Sequence, residues 1–310
     1  MKISSKECAE ILLEQDYIRI HCHRDPDGDT IGSAMALMDA LVSMGKRVYM
    51  SCTSPIPENL MFVYKNYEPF PEKFNVTVDV STVKLLGDGA IREIPIDLAI
   101  DHHISNELYA EKTCLYDYSS AGELVFDVLE EMGVKISAYA ATSLLLAVSS
   151  DTGSFKFSGV TSKTLRCGAS LLDLGADADA VRKNLYESKK KSRAMLEAAA
   201  LANMEYFDND RIAVISIPLE MMERCNAKEE ELEGIASVPT SVEGVDIGFT
   251  LKERDDGYIR VSVRTNEKAD ACKICKAFEG GGHIRASGCR IKASLQQAKE
   301  KLLKEARKQL

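Results

Sequence analysis

Tyr17-Ile18-Arg19-Ile20-His21-Cys22-His23-Arg24-Asp25-Pro26-Asp27-Gly28-Asp29-Thr30-Ile31-Gly32-Ser33 is the stretch on which the reading of the fold turns. Residues 17–21 are apolar and β-leaning, and a polar turn punctuated by Pro26 and Gly28 follows. From 31 to 44, Ile31, Ala34, Met35, Met38, Leu41 and Val42 recur at helical spacing, with Gly45 as the stop. A strand running through a tight polar turn into an apolar-striped helix opens a βα unit. The pattern repeats outward, with strands expected at 47–52, 76–80 and 96–100 and helices at 121–132, 138–148 and 162–174. This alternation predicts an α/β fold over residues 1–187, a mostly parallel sheet flanked by helices. In such sheets ligands sit beyond the carboxyl ends of the strands.

Residues 188–206 are charged and helix-forming, and predict a helical linker. Residues 207–310 predict a smaller α+β domain. Its strands are expected at 212–217, 245–252 and 258–264, the last two joined by a hairpin turn at Asp255-Asp256-Gly257. Short helices are expected near 220–225 and 229–235, another around 269–277, and a C-terminal one from Ser294.

A chain of 310 residues suggests about two domains. A hydrophobic share of 45% and a charged share of 28% exclude a disordered or collagen-like chain. Nine cysteines, an odd number scattered through apolar surroundings at Cys22, Cys52, Cys114 and Cys167, read as reduced core residues. Cys272 and Cys275 have no second pair with which to build a zinc ribbon, and read as neighbours on one helix face. No apolar run approaches the ~18–20 residues of a membrane span, and the first residues contain no signal-peptide block. The expectation is a cytoplasmic protein without a membrane partner. Thirty-nine basic against 48 acidic residues give a net charge of −9. No basic tract is dense enough to grip a long duplex, so any nucleic-acid ligand should be short. The densest run, Lys189-Lys190-Lys191 with Arg193, reads as the solvated face of the linker helix.

Four of the five histidines fall inside compact polar clusters; His21, inside the first strand, reads as a core histidine. In the opening turn, His23, Asp27 and Asp29 can converge on one point. Hard oxygens with an imidazole suit Mn²⁺ or Mg²⁺ and accept Fe²⁺, Co²⁺ or Zn²⁺. The competing reading is a polar turn with Asp29 as helix N-cap. Asp101-His102-His103 ends the fourth strand, at the same sheet edge. Asp79 lies in the apolar strand Val76-Thr77-Val78-Asp79-Val80, where an unpaired carboxylate is hard to bury. Asp151 follows an apolar helix within Asp151-Thr152-Gly153-Ser154, where an N-cap role competes with a functional one.

These four segments, in this order, resemble motifs I to IV of the DHH phosphoesterase superfamily, named for the triplet present here as Asp101-His102-His103. The run Glu279-Gly280-Gly281-Gly282-His283-Ile284-Arg285 resembles the GGGH signature of the DHHA1 domain. Together they span nearly the whole chain and are most similar to the stand-alone branch that joins oligoribonuclease with 3′-phosphoadenosine 5′-phosphate phosphatase activity. The resemblance implies two divalent ions, Mn²⁺ first, with Mg²⁺, Co²⁺ or Fe²⁺ as alternatives. His23 and Asp27 would bind one; Asp29, His102 and Asp151 the other; Asp79 both. His103 would meet the substrate phosphate or leaving oxygen, and Asp101 would orient a neighbouring imidazole.

On that reading the ion pair activates water for attack on phosphorus, without a covalent intermediate. Arg264, Gly280, Gly281, Gly282, His283 and Arg285 would grip the substrate from the second domain, across an interdomain cleft. The expected substrates are short single-stranded RNA, trimmed to mononucleotides, and small phosphonucleotides such as 3′-phosphoadenosine 5′-phosphate, converted to AMP. A homodimer is left open. Three alternatives stand behind this expectation. One is a phosphodiesterase for cyclic di-AMP or its linear dinucleotide product. The others are a pyrophosphatase or polyphosphatase, whose second domain lacks the glycine run, and a non-catalytic nucleotide-binding regulator, which should have lost at least one of the six ligands.

Overall fold

In the computed structural model, which describes residues 1–71, 74–187, 190–232 and 234–310, the chain divides into two units, Met1–Ser188 and Lys189–Leu310. The first contains β1 (Lys2–Ile3), α1 (Ser5–Glu14), β2 (Tyr17–His21), α2 (Gly28–Ser43), β3 (Arg47–Ser51), β4 (Phe74–Val78), β5 (Leu98–Asp101) and β6 (Lys112–Leu115). Four helices follow: α3 (Ala121–Glu131), α4 (Ala138–Asp151), α5 (Ser162–Asp173) and α6 (Ala178–Arg182). All six strands pair in parallel in the order β1-β6-β5-β4-β2-β3. Parallel neighbours require crossovers that cover both faces, which is why Ile18, Ile20, Val76, Val78, Leu98 and Ile100 are all buried. The expected α/β architecture is present.

The strand order reverses at β2, with β3 on one side and β4 on the other. The carboxyl ends of β2 and β4 thus flank a topological switch point, the crevice where ligands bind in such sheets. Close packing of α2 on α4 narrows this edge. A Cβ at Gly32 would lie 2.3 Å from the Ser143 carbonyl oxygen, so only glycine lets the two helices approach this closely.

The second unit contains α7 (Lys191–Ala202), β7 (Glu205–Phe207), β8 (Ile212–Ile217), α8 (Leu219–Cys225), β9 (Ile247–Glu253) and β10 (Tyr258–Thr265). It continues through α9 (Ala271–Lys276), β11 (Gly281–Gly282), β12 (Ala286–Lys292) and α10 (Leu295–Ala306). Its mixed sheet runs β11-β12-β10-β9-β8-β7, antiparallel except for β8 with β9. The β9–β10 hairpin turns at Asp255-Asp256-Gly257, with Gly257 at φ +74°. One core cluster joins Val261 and Phe249 to Ile274 of α9 and Leu302 of α10. Another joins Leu196 and Ala200 of α7 to Ile215 and Ile217 of β8. Of the stretch expected as a linker, Ser188 and Lys189 lie outside the described residues; α7 packs within the second unit. The helix expected at 229–235 is instead two short 3₁₀ turns, Glu229–Leu232 and Ile235–Ser237. Among the described residues no helix is long and apolar enough to cross a membrane, and the nine cysteines are free thiols.

Candidate metal centre

Each acid and imidazole at the sheet edge is placed by a strand or helix end. Asp27, not Asp29 as the competing reading of the turn has it, caps α2: its Oδ1 accepts the amides of Asp29 at 3.1 Å and Thr30 at 3.0 Å. The helix therefore begins at Gly28, three residues before its apolar stripe. Asp29, one residue inside, is fully buried. Its carboxylate accepts the amides of Ala121 at 2.7 Å and Gly122 at 2.9 Å, at the N-terminus of α3, and the Ser33 hydroxyl at 3.2 Å.

Asp79 lies just past β4 rather than inside it, at φ +60°, a left-handed conformation that Asp tolerates better than most residues. This turn carries its side chain out of the strand's alternation and towards the crevice. Asp151 is the last residue of α4, so the N-cap reading fails. A carboxylate at a helix C-terminus faces the negative end of the dipole, and helix energetics alone give no reason for it.

The side chains gather into two adjoining groups. His23 Nε2 lies 3.6 Å from Asp27 Oδ1 and 3.6 Å from Asp79 Oδ2. His102 Nε2 lies 3.4 Å from Asp79 Oδ1, 3.4 Å from Asp151 Oδ2 and 3.6 Å from Asp29 Oδ2. Within His23, Asp27 and Asp79, and within Asp29, His102 and Asp151, the possible ligand atoms all lie within 4.8 Å of one another. Asp79 turns one oxygen to each group. It also groups with His102 and His103.

His102 Nδ1 stands 3.0 Å from the Tyr118 carbonyl, which can only accept. That bond fixes the proton on Nδ1 in the neutral ring and leaves the Nε2 lone pair facing the carboxylates. Nε2 and Asp79 Oδ1 are both buried without a hydrogen-bond partner. Buried polar atoms are rarely left so, and a cation would satisfy both. His103 Nδ1 is 2.8 Å from Asp101 Oδ1, while Asp101 Oδ2 accepts from Asn106 Nδ2 at 2.6 Å. The His103 side chain keeps 41% of its surface exposed.

Charge crowding shows in the proton affinities of the metal-free site. Burial, then Asp79 and Asp151, pushes Asp29 well above the usual carboxylate range. Burial, then Asp79 and Asp27, raises Asp151 to about 7. Burial works to lower His23 and His102, but Asp27 and Asp79 beside the first, and Asp79 and Asp29 beside the second, hold both up at about 10. The site gathers protons where cations would serve.

In the second unit, Arg264, Gly280 and Gly281 line one cleft of about 740 Å³, and His283 is exposed nearby. Two of the three glycines have reasons of their own. A Cβ at Gly280 would lie 2.3 Å from the Gly288 carbonyl oxygen, and one at Gly282, φ +140°, 2.6 Å from that of Ala286. Only Gly281 faces open space. Arg285 is not brought to the cleft: its guanidinium donates to the carbonyls of Asn266, Glu267 and Ala269. His21 is a core histidine, buried with Nε2 3.0 Å from Asn75 Oδ1. Sequence reasoning missed Asn106, the Tyr118 carbonyl and the α3 amides. Ser120 ahead of an apolar helix signalled the last of these; Asn106 carried no signal.

Residues 17–148 match the DHH family, N-terminal domain, and residues 209–310 match the DHHA1 domain. The chain is 27% identical to the bifunctional oligoribonuclease and PAP phosphatase NrnA of Thermus thermophilus, over 94% of this chain and 90% of that protein. It is 25% identical to the cyclic-di-AMP phosphodiesterase GdpP of Bacillus subtilis, over 97% of this chain but only 49% of that protein. Among solved structures, an exopolyphosphatase-related protein from Bacteroides fragilis superposes with a TM-score of 0.89 at 25% identity, covering 98% of this chain and 95% of that one. RecJ of Thermus thermophilus, in complex with Mn²⁺, shares the fold at a TM-score of 0.57 and 17% identity, over 98% of this chain and 55% of that one.

Proposed function

The chain belongs to the DHH family with a DHHA1 domain as its second unit and is a hydrolase of phosphoester bonds, and from that premise we propose that it trims short oligoribonucleotides to mononucleotides and dephosphorylates 3′-phosphoadenosine 5′-phosphate in a metal-dependent reaction. The observation that carries the reading is Asp79, whose two oxygens serve separate His–Asp groups while one of them, buried, accepts no hydrogen bond. His23 and Asp27 would hold one divalent ion, Asp29, His102 and Asp151 a second, with Asp79 shared. Three residues for the first ion and four for the second, with Asp79 counted in both and most donors hard oxygens, favour Mn²⁺ and admit Mg²⁺, Co²⁺ or Fe²⁺. Ions bound there supply Lewis-acid chemistry, acidifying a water and offsetting charge on phosphoryl oxygens.

The residues around them supply order. Two amides and a hydroxyl hold the Asp29 carboxylate in one orientation, and the Tyr118 carbonyl does the same for the His102 ring. Asp101 steadies His103 through Nδ1, and with that partner first and burial opposing, the His103 proton affinity is raised. His103 Nε2 is then the atom that donates to the leaving oxygen. Asp101, held by Asn106, keeps that ring in place. Arg264, His283 and the open Gly281 are proposed as substrate-binding residues of the second unit.

Relatives named for oligoribonuclease and PAP phosphatase activity match along about 90% of their length, whereas GdpP matches along 49% of its own, and this supports the reading with the cyclic dinucleotide as the second candidate. Incubating the manganese-loaded protein with a labelled trinucleotide should release mononucleotides. No release, with occupancy confirmed, contradicts the reading, and turnover confined to cyclic di-AMP selects the second.

A further inference from the structure

The outer face of the β10–β12 ladder carries charge that the metal centre does not use. Ile259, Val261 and Val263 point into the core, which leaves Tyr258, Arg260, Ser262 and Arg264 on the opposite face of β10. Antiparallel register then sets Lys292 across from Tyr258, Arg290 across from Arg260, and Gly288 across from Ser262. Two arginines directly opposed on a ladder repel, an arrangement that weakens a sheet. Their counter-charges are slight. Glu229 stands 3.4 Å from Arg260 and also pairs with Arg254, while Asp256 stands 2.7 Å from Arg290. Both acids and both arginines are more than half exposed, so these pairs hold weakly and another anion can take their place.

The floor between the charged ends is low. Ser262 and Gly288 carry no long side chain, and together with Gly280 and Gly281 they line the cleft of about 740 Å³, whose one lining acid is Glu279. At one end lies the Tyr258 ring, with the Arg290 guanidinium 4.6 Å from its centroid. Arg260 and Arg264, four residues apart on one strand, are separated by ~13 Å, farther than a single phosphate bridges.

We propose that this face is a groove for a single-stranded oligoribonucleotide, in which Arg260 and Arg290 share a phosphate other than the scissile one and Tyr258 stacks a base. The proposal rests on the short-oligonucleotide reading above and adds what holds the rest of the strand. It makes affinity depend on length, since a mononucleotide cannot reach both Arg264 and the Arg260–Arg290 pair.

The test reads binding apart from turnover: the full chain in chelator, titrated with a fluorescent pentaribonucleotide and followed by anisotropy. Joint Arg260→Gln and Arg290→Gln substitution should weaken binding at least about tenfold and, with one shared phosphate lost, reduce the slope of log affinity against log salt by about 0.7. The thermal midpoint should hold or rise, because the opposed charges are gone. Tyr258→Leu should cost several-fold with a smaller change in salt slope. Unchanged affinity and salt slope in the folded double variant would overturn the groove. Failure of the hydrolase reading shows separately, as no mononucleotide release by the manganese-loaded wild type.

Discussion

At the carboxyl edge of the parallel sheet, four carboxylates and two imidazoles crowd together, with His102 Nε2 and Asp79 Oδ1 buried and without a hydrogen bond. On the outer face of β10 and β12, the arginines are exposed and countered only by exposed acids. Both regions assemble like charges that local stability would disperse, in opposite signs and at opposite depths. A buried anionic cluster with open lone pairs suits desolvated cations; an exposed cationic ladder suits phosphates that stay partly hydrated. The first region depends on positions fixed to tenths of an ångström, and the second on charge and a low floor.

The largest effect should come from Asp79→Asn, which retains the left-handed backbone but removes the shared carboxylate. Activity should fall by about 10²–10³-fold or more while the metal-free thermal midpoint holds or rises, measured by kcat and melting. A stability loss with kcat intact would make Asp79 structural. Next comes pH. His23 and His102, raised to about 10 in the metal-free fold, contribute stability that is fully present below their unfolded value near 6.5 and lost as pH rises through about 10. Thermal midpoints between pH 6 and 10 should therefore fall for the metal-free protein and much less for the manganese-loaded one.

Asn106→Ala, which frees Asp101 Oδ2, should lower kcat by about 10-fold, in the range expected when a residue behind a metal-site group is lost. Gly280→Ala should cost about 1–3 kcal/mol through its clash with β12, and Gly281→Ala close to nothing, read from denaturant melts. Arg285→Ala should cost about 1 kcal/mol with the KM for a trinucleotide little changed. A tenfold KM rise at constant stability would return Arg285 to the substrate.

Much of the metal edge was legible because its donors cluster in sequence: His23, Asp27 and Asp29 in one turn, and His102 beside His103. The alternation of strands and helices then fixed a common edge. What stayed hidden depends on backbone turns and packing that no local pattern carries. Nothing in Val76-Thr77-Val78-Asp79-Val80 announces that the strand stops at Val78 and that Asp79 turns left-handed. Asp27 and Asp29 both suit an N-cap, and only the α3 amides, more than ninety residues away, claim Asp29 for another role. In the second unit, Gly280 and Gly282 read as a ligand loop because β12, with Gly288 at its centre, does not read as a strand. Once that strand is present, its backbone explains both glycines. Short Lys112–Leu115 escaped for want of length.

The central claim is one carboxylate shared by two cations, and counting Mn²⁺ by electron paramagnetic resonance during titration of the metal-free protein tests it most directly. Two ions per chain with a spin-coupled spectrum, the coupling lost in Asp79→Asn, is the predicted result. One ion per chain, or two without coupling in the wild type, would contradict it.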